Sequence, residues 1–197
     1  QNTFGNTPGY PALTVLDTTH PAAVREATAR IDVKHALFLV SSKSGTTPES
    51  TSLYNHFWKA AEGLGAERGK HFVAITDPGT SLDKLARERG FRRVFNAPPD
   101  VGGRYSSLTV FGLVPAALIG VDVGRLVRRA GIMAGSCGPE RPAKENPGLV
   151  LGATLGALAK KGRTAITFVT GPGLHALPAW IEQLVAESTG KNDKGIL

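Results

Sequence analysis

Short apolar runs alternate with amphipathic segments along the first half of the chain. His35–Val40 and His71–Ile75 are almost continuously apolar, which is typical of strands that are covered on both faces in a parallel sheet. Each run is followed by a segment with the spacing of an amphipathic helix. This alternation predicts a doubly wound α/β fold, with a mostly parallel sheet and helices on both of its faces.

The predicted elements follow this order along the chain, and the pattern changes after residue 105. The predicted strands are 12–16, 35–40, 71–75 and 93–96, and the predicted helices are 21–31, 48–63 and 80–89. Residues 106–119 are strongly apolar, 121–134 are amphipathic and basic, and 146–161 form a predicted helix with small residues on one face. We therefore predict a helical connector over 106–162. A strand at 163–170 and a helix at 174–188 would begin a second α/β layer. We therefore divide the chain into an irregular segment 1–11, an α/β domain 12–105, the connector 106–162 and the start of a second α/β unit 163–197.

Composition limits the class of protein and its setting. The 197 residues, 41% of them hydrophobic, suffice for one sizeable core. No apolar run approaches the roughly 18–20 residues that span a bilayer. The single cysteine, Cys137, excludes an internal disulfide and a cysteine-based zinc site, and the five histidines form no metal-binding pair. We expect a cytoplasmic protein without a metal or a membrane partner.

The net charge is positive, with 23 Lys and Arg against 16 Asp and Glu, or +7. Such an excess suits an anionic partner. The basic residues are dispersed and no aromatic side chains alternate with them, so we predict no nucleic-acid binding, and we keep it only as an alternative that a steep salt dependence would reveal.

The first residues do not resemble a targeting segment. Residues 1–11 (QNTFGNTPGYP) are rich in turn formers, with no basic region followed by an apolar stretch, so they do not form a signal peptide. The chain begins with Gln1 rather than Met. We expect it to be a piece of a longer protein.

A loop rich in hydroxyl groups follows the second predicted strand. Residues 41–50 (SSKSGTTPES) connect that strand to a helix that begins at Pro48, a residue suited to the first helical turn. Ligands of open α/β sheets bind at the carboxyl ends of the strands, and a helix N-terminus attracts anions. The loop therefore predicts a phosphate site, although the spacing is not that of a Walker loop. The alternative is that these residues only cap the helix, for which one hydroxyl would suffice.

Two further segments carry candidate chemistry. Gly102-Gly103-Arg104 lies in a turn, where the glycines let a ligand approach the backbone and Arg104 could stabilise a developing oxyanion; the alternative is an ordinary turn with an exposed arginine. Gln183 and Glu187 are four residues apart on the last predicted helix and so share one face. Glu187 could serve as a general base, and the alternative is a solvated helix residue.

Three motifs together resemble the glucose-6-phosphate isomerase family, which is built from paired sugar-isomerase (SIS) domains. Residues 42–50 resemble its SK[ST]xTTxE[ST] phosphate loop, residues 102–106 match its GGR[YF]S motif, and residues 187–191 (ESTGK) are similar to its ESNGK motif. Longer stretches of sequence outside the three motifs, such as AITDPGT at 74–80, are similar to the isomerase part of bifunctional transaldolase/glucose-6-phosphate isomerases. The resemblance begins near Ala12 and implies an SIS-type sheet.

The resemblance implies a reaction and a role for each motif residue. The reaction is the aldose–ketose isomerisation of glucose 6-phosphate and fructose 6-phosphate through a cis-enediol(ate), without a cofactor, in a homodimer. Glu187 would be the base that moves the proton between C2 and C1, and Arg104 would stabilise the enediolate oxygen. Gln183 and Gly103 would contact the sugar. The residues implied in phosphate binding are Ser42, Lys43 (by its amide or its side chain), Ser44, Thr47 and Ser50.

Other motifs of the family have no counterpart in this sequence. They are its GIGGS loop, which should precede the first strand, its ring-opening histidine, which the family takes from the neighbouring subunit, and a lysine near its C-terminus. We therefore expect a fragment that is inactive by itself. The alternative function is a non-catalytic SIS module that binds a sugar phosphate as a regulatory ligand.

Overall fold

Three parallel strands form the sheet in the computed structural model of the chain, which describes residues 5–191 and 195. The strands are β1 (Phe38–Ser41), β2 (Phe72–Thr76) and β3 (Arg93–Asn96), in the order β1-β2-β3. Phe38 pairs with Phe72, and Val73 pairs with Arg93. All three strands therefore end at the same edge of the sheet, and the loops that follow them leave from that edge.

The central strand is buried along its whole length. All five residues of β2 are buried, and successive side chains of a strand point to opposite faces, so both faces of the sheet are covered. Phe72 stacks on Phe38 with ring centroids 4.8 Å apart and also contacts Tyr54 and Trp58. The prediction of a parallel α/β fold is confirmed.

Helices connect the three strands, and further helices follow the last strand along the chain. They are α1 (Pro21–Arg30), α2 (Pro48–Ala60), α3 (Ser81–Glu88), α4 (Val110–Leu118), α5 (Val123–Ser136), α6 (Pro147–Ala159) and α7 (Leu177–Glu182), and a π-helical turn (Gln183–Glu187) extends α7. Single-turn or irregular 3₁₀ segments lie at Val33–His35, Glu62–His71, Gly103–Leu108 and Pro172–Leu174. None of the helices in the described part of the chain is long and apolar enough to cross a membrane.

Several helices begin where a side chain can satisfy the free amides of the first turn. Thr80 accepts a hydrogen bond from the Asp83 amide at 3.2 Å, at the start of α3. Asp122 accepts one from the Arg125 amide, at the start of α5. Pro48 is the first residue of α2, as the sequence predicted.

The described residues form two compact units. Residues 11–118 form one unit, which contains the sheet, α1–α4 and the aromatic core. Residues 5–10 together with 119–191 form the other, which contains α5, α6 and α7. In this second unit several large apolar side chains are exposed, among them Ile132, Leu149 and Leu151.

Two predicted strands are not formed. Residues 12–16 (ALTVL) and 163–170 (RTAITFVT) adopt no regular structure, and Val15 and Val169 are 66% and 94% exposed. A strand needs a neighbour that satisfies its backbone groups, and neither segment has one among the described residues. Leu16 packs against the core as part of an irregular segment. The second unit is therefore helical where we expected the start of a second α/β layer.

Candidate functional site

The hydroxyl-rich loop lies at the edge where the strands end. It follows β1 directly, and the Ser42 amide donates to the Ile75 carbonyl of β2 at 3.0 Å. The loop ends at Pro48, where α2 begins. The backbone of the loop is thus attached to the central strand, and the loop leads directly into the first turn of α2.

Hydrogen bonds within the loop bring the predicted phosphate ligands together. The buried Ser42 Oγ and the Thr47 Oγ1 are 2.9 Å apart, and the Gly45 amide donates to Ser42 Oγ at 3.2 Å. Ser44 Oγ accepts two bonds from Thr46, from its amide and its hydroxyl, which leaves the Ser44 proton for a ligand oxygen. Because Thr47 bonds to Ser42, its side chain does not cap α2.

Ser50 is turned towards the strand. Its hydroxyl donates to the Ser41 carbonyl at 3.3 Å. A hydroxyl proton rotates freely about the C–O bond, so Ser50 can donate to a phosphate oxygen once it leaves that carbonyl.

Gly45 is a member of this site that the sequence reasoning did not select. Its φ is +70°, and a Cβ atom at this position would lie 2.8 Å from the Thr80 Cβ and 2.9 Å from the Leu82 amide nitrogen. The Gly45 carbonyl also accepts a bond from Ser81 Oγ at 2.6 Å. The loop therefore packs against the start of α3, and only glycine fits at the contact.

The Lys43 side chain points to the loop that follows β2. Its ammonium group lies 2.6 Å from Asp77 Oδ2 and 3.3 Å from the Pro99 carbonyl. Asp77 was not among the predicted site residues. It could have been found from the same rule that selected the loop, because it is the residue that follows β2 at the carboxyl edge.

Asp83 holds the turn beside this loop. Its carboxylate accepts hydrogen bonds from the Gly79 amide and from Arg87 Nε, both at 2.8 Å. The Gly79 bond, with a smaller contribution from Arg87, lowers the pKa of Asp83 below its ordinary value of 3.8. The carboxylate therefore stays ionised and keeps the turn in place at neutral pH.

Gly103 and Arg104 follow β3. They begin the 3₁₀ segment Gly103–Leu108, where the Ser106 hydroxyl donates to the Gly103 carbonyl at 2.6 Å. Gly103 is exposed, whereas Arg104 is partly buried. Arg104 belongs to the same compact unit as the hydroxyl-rich loop and lies in the stretch of chain that follows β3.

Gln183 and Glu187 lie in the other unit. Both line a shallow depression of about 380 Å³ that is open to solvent, together with Ala179, Glu182 and Ala186. The two residues therefore share one face, as their spacing predicted. The predicted helix 174–188 is found in part, since α7 begins at Leu177 and the turn that carries Glu187 is π-helical.

Metal ligands are absent from the part of the chain that the structure describes: no three His, Cys, Asp or Glu side chains are grouped there. The donors in the loop are hydroxyl and amide groups, which suit an anion rather than a cation. A parallel sheet with helices on its faces and a loop of this kind at the carboxyl edge defines the class of open-sheet α/β proteins, which bind their ligands at that edge.

Comparison with known proteins identifies the family within this class. The sequence model of the family described as Phosphoglucose isomerase matches residues 5–195. The glucose-6-phosphate isomerases of Parabacteroides distasonis and Symbiobacterium thermophilum are 38% and 40% identical to the chain, over 79% and 80% of its length. The chain belongs to the phosphoglucose isomerase family.

Solved structures agree with this assignment. A hypothetical protein from Thermus thermophilus has a TM-score of 0.80 at 31% identity over 89% of this chain. A glucose-6-phosphate isomerase from Chlamydia trachomatis has a TM-score of 0.73 at 28% identity, also over 89%. The chain covers 42% and 34% of these two structures, and 35% and 36% of the two relatives named above. It thus spans well under half the length of the proteins that it matches.

Proposed function

We propose that this chain takes part in the interconversion of glucose 6-phosphate and fructose 6-phosphate in the cytoplasm, within a homodimer. The observation that carries the proposal is the loop 42–50 of this family member, whose hydroxyl groups are gathered at the carboxyl edge of the sheet beside the start of α2. Neutral donors and a helix N-terminus are suited to a phosphate dianion. A non-catalytic regulatory module is not favoured, because the relatives are named as isomerases.

The phosphate group would fix one end of the sugar. Ser42, Ser44, Thr47 and Ser50 supply hydroxyl groups, and Lys43 belongs to the same loop. Holding the substrate by a group that does not react converts binding energy into orientation of the carbons that do. The loop therefore contributes to the rate as well as to affinity.

The reacting end of the sugar requires a base and a cation. The Glu187 carboxylate removes the proton from C2 of glucose 6-phosphate and returns it to C1, while the hydroxyl proton moves from O2 to O1. Between these steps the substrate is a cis-enediolate, whose negative oxygen Arg104 stabilises. Gln183 and Gly103 orient the sugar. The reaction moves protons only and needs no redox cofactor.

Glu187→Gln tests the proposed base in the complete gene product that contains this chain. Removal of the base should lower kcat by about 10²–10⁴-fold and abolish exchange of the C2 proton with solvent deuterium. Glu140→Gln, an exposed carboxylate of the same compact unit, should leave both unchanged. Exchange at the wild-type rate in the Glu187→Gln variant would exclude Glu187 as the base.

The phosphate loop is tested by ligand-induced stabilisation. Fructose 6-phosphate at about 100 times its Kd should stabilise the folded protein by about 2.7 kcal/mol, measured as a rise in Tm. Ser44→Ala combined with Thr47→Ala should remove the rise, whereas Ser52→Ala, an exposed hydroxyl of α2, should retain it. An undiminished rise in the double variant would exclude the loop as the phosphate site.

A further inference from the structure

The Lys43 side chain connects three loops at the carboxyl edge of the sheet. Lys43 lies in the loop after β1, Asp77 follows β2, and Pro99 lies after β3. The Lys43 ammonium donates to Asp77 Oδ2 at 2.6 Å and to the Pro99 carbonyl at 3.3 Å. The two side chains of the pair are mostly buried, with 29% and 17% of their surfaces exposed. One charged group thus bonds to each of the neighbouring loops.

The backbone of Lys43 is attached to the same place. Its carbonyl accepts hydrogen bonds from the Asp77 amide at 3.2 Å and from Thr76 Oγ1 at 3.3 Å. These bonds fix the phosphate loop relative to β2 without the help of the Asp77 carboxylate. The carboxylate is needed for a different purpose, which is to orient the ammonium group.

The charges of the pair balance each other. Asp77 Oδ1 is buried and has no hydrogen-bond partner among the described residues, so Lys43 is the group that compensates the Asp77 charge. An ammonium group paired at this distance adds no net positive charge to the loop. Lys43 is therefore better placed to hold loops together than to attract a phosphate dianion.

The contact with the Pro99 carbonyl lies close in sequence to Arg104, the predicted residue at the reacting end of the sugar. Pro99 lies five residues before Arg104, and Gly102 marks the start of the 3₁₀ segment that carries Arg104. Lys43 thus links the phosphate loop, by a hydrogen bond to the Pro99 carbonyl, to the stretch of chain that leads into this segment, and both belong to one compact unit. A substrate bound by its phosphate needs that spacing to meet Arg104 at the correct distance.

We propose that Asp77 is a positioning residue, which acts through Lys43 to hold the phosphate loop at a fixed distance from the segment that carries Arg104. The inference rests on the proposed isomerase function. It assigns Lys43 to the support of the site rather than to direct contact with the phosphate. A misplacement of about 1 Å in such a site can cost about 10²-fold in rate, so the pair should affect turnover more than phosphate affinity.

The test is a double-mutant cycle in the complete gene product, with Lys43→Met, Asp77→Asn and the two combined. Each single substitution should lower kcat by about 10–100-fold, and the inhibition constant of inorganic phosphate should change by less than about twofold. The double variant should be no worse than the worse single variant, because both changes remove one interaction. Lys43→Arg, which keeps the ion pair, should retain most of the wild-type kcat.

A second ion pair of the same unit provides the control. Lys70 and Glu67 are 2.7 Å apart, with 62% and 63% of their side chains exposed. Lys70→Met and Glu67→Gln should leave kcat and phosphate inhibition unchanged, since exposed pairs contribute little.

Three outcomes would overturn the inference. Multiplicative losses of kcat in the double variant would show that Asp77 does not act through Lys43. A tenfold weaker phosphate inhibition in Lys43→Met, with tighter inhibition in Asp77→Asn, would make Lys43 a direct ligand. A wild-type protein without isomerase activity would instead refute the proposed function, and the inference with it, so the two failures are distinguishable.

Discussion

At the residue scale, position 45 accepts a side chain less readily than its neighbours. The backbone of Gly45 has a φ of +70°, and a Cβ atom there would approach Thr80 and Leu82 to less than 3.0 Å. Backbone strain and overpacking both oppose an alanine at this position. We expect Gly45→Ala to lower the free energy of unfolding by about 2–4 kcal/mol, as measured by urea denaturation.

Substitutions at two other glycines distinguish the cost of backbone strain from the cost of the contact with Thr80 and Leu82. Gly79 has a φ of +76° but nothing within 4 Å of its Cβ position, so Gly79→Ala should show the backbone cost alone, about 1–2 kcal/mol. Gly63 has open space and no positive φ, so Gly63→Ala should lie within about 0.5 kcal/mol of the wild type. Equal losses in the free energy of unfolding for Gly45→Ala and Gly79→Ala would show that the contact with Thr80 contributes nothing to the destabilisation.

At the scale of the element, the start of α3 depends on an ionised carboxylate. Hydrogen bonds from Gly79 and Arg87 lower the pKa of Asp83 below 3.8, so Asp83 favours the folded state at a pH above 3.8 and loses this effect as the pH falls through its lowered pKa. Asp83→Asn should therefore lower the free energy of unfolding by about 1–3 kcal/mol at pH 7. The difference from the wild type should shrink as the pH is lowered below 3.8.

Urea denaturation at pH 7 and near pH 3 measures this dependence. Asp17→Asn, which changes an exposed carboxylate, provides the control and should leave the free energy of unfolding nearly unchanged at pH 7. A destabilisation by Asp83→Asn that stayed constant down to the acid limit would show that the Asp83 charge does not hold the turn.

At the scale of the whole molecule, burial is concentrated in one of the two units. Among the described residues of the second unit only Ile119 and Asn146 are buried, while the unit 11–118 contains the aromatic core and all of β2. Local opening is easiest where few apolar contacts must break. Hydrogen exchange of this chain should therefore be slowest in β2 and markedly faster in α5 and α6. Protection of α6 equal to that of β2 would contradict this distribution of stability.

The sequence predicted the sheet well where apolar runs lie between helices, and poorly elsewhere. The strand at 93–96 is found with the predicted bounds, and the strand predicted at 71–75 is found one residue later. The runs at 12–16 and 163–170 have similar composition, but a pattern of side chains does not reveal whether a strand has a partner to pair with. Neither segment pairs with a strand of the sheet, and Val15 and Val169 are exposed rather than buried.

The sequence predicts which residues belong to the candidate site, but it does not predict which of them contact one another. The hydroxyl groups of residues 42–50 follow from local sequence, because the loop lies between a strand and a helix. The Lys43–Asp77 pair joins residues 34 positions apart, and only the parallel order of β1 and β2 brings them together. The need for glycine at position 45 depends on α3, which lies later in the chain. Contacts between residues so far apart in the sequence can be identified only from the tertiary structure.

The bonds of Lys43 have a consequence for biosynthesis. Its ammonium group contacts residues 34 and 56 positions further along the chain. While a ribosome is still translating the codons just before Pro99, a nascent polypeptide already contains every hydroxyl of the loop and Asp77, but lacks the carbonyl that Lys43 contacts after β3. The contacts of Lys43 can therefore be complete only after residue 99 has been translated, although the hydroxyl-rich loop itself is made much earlier.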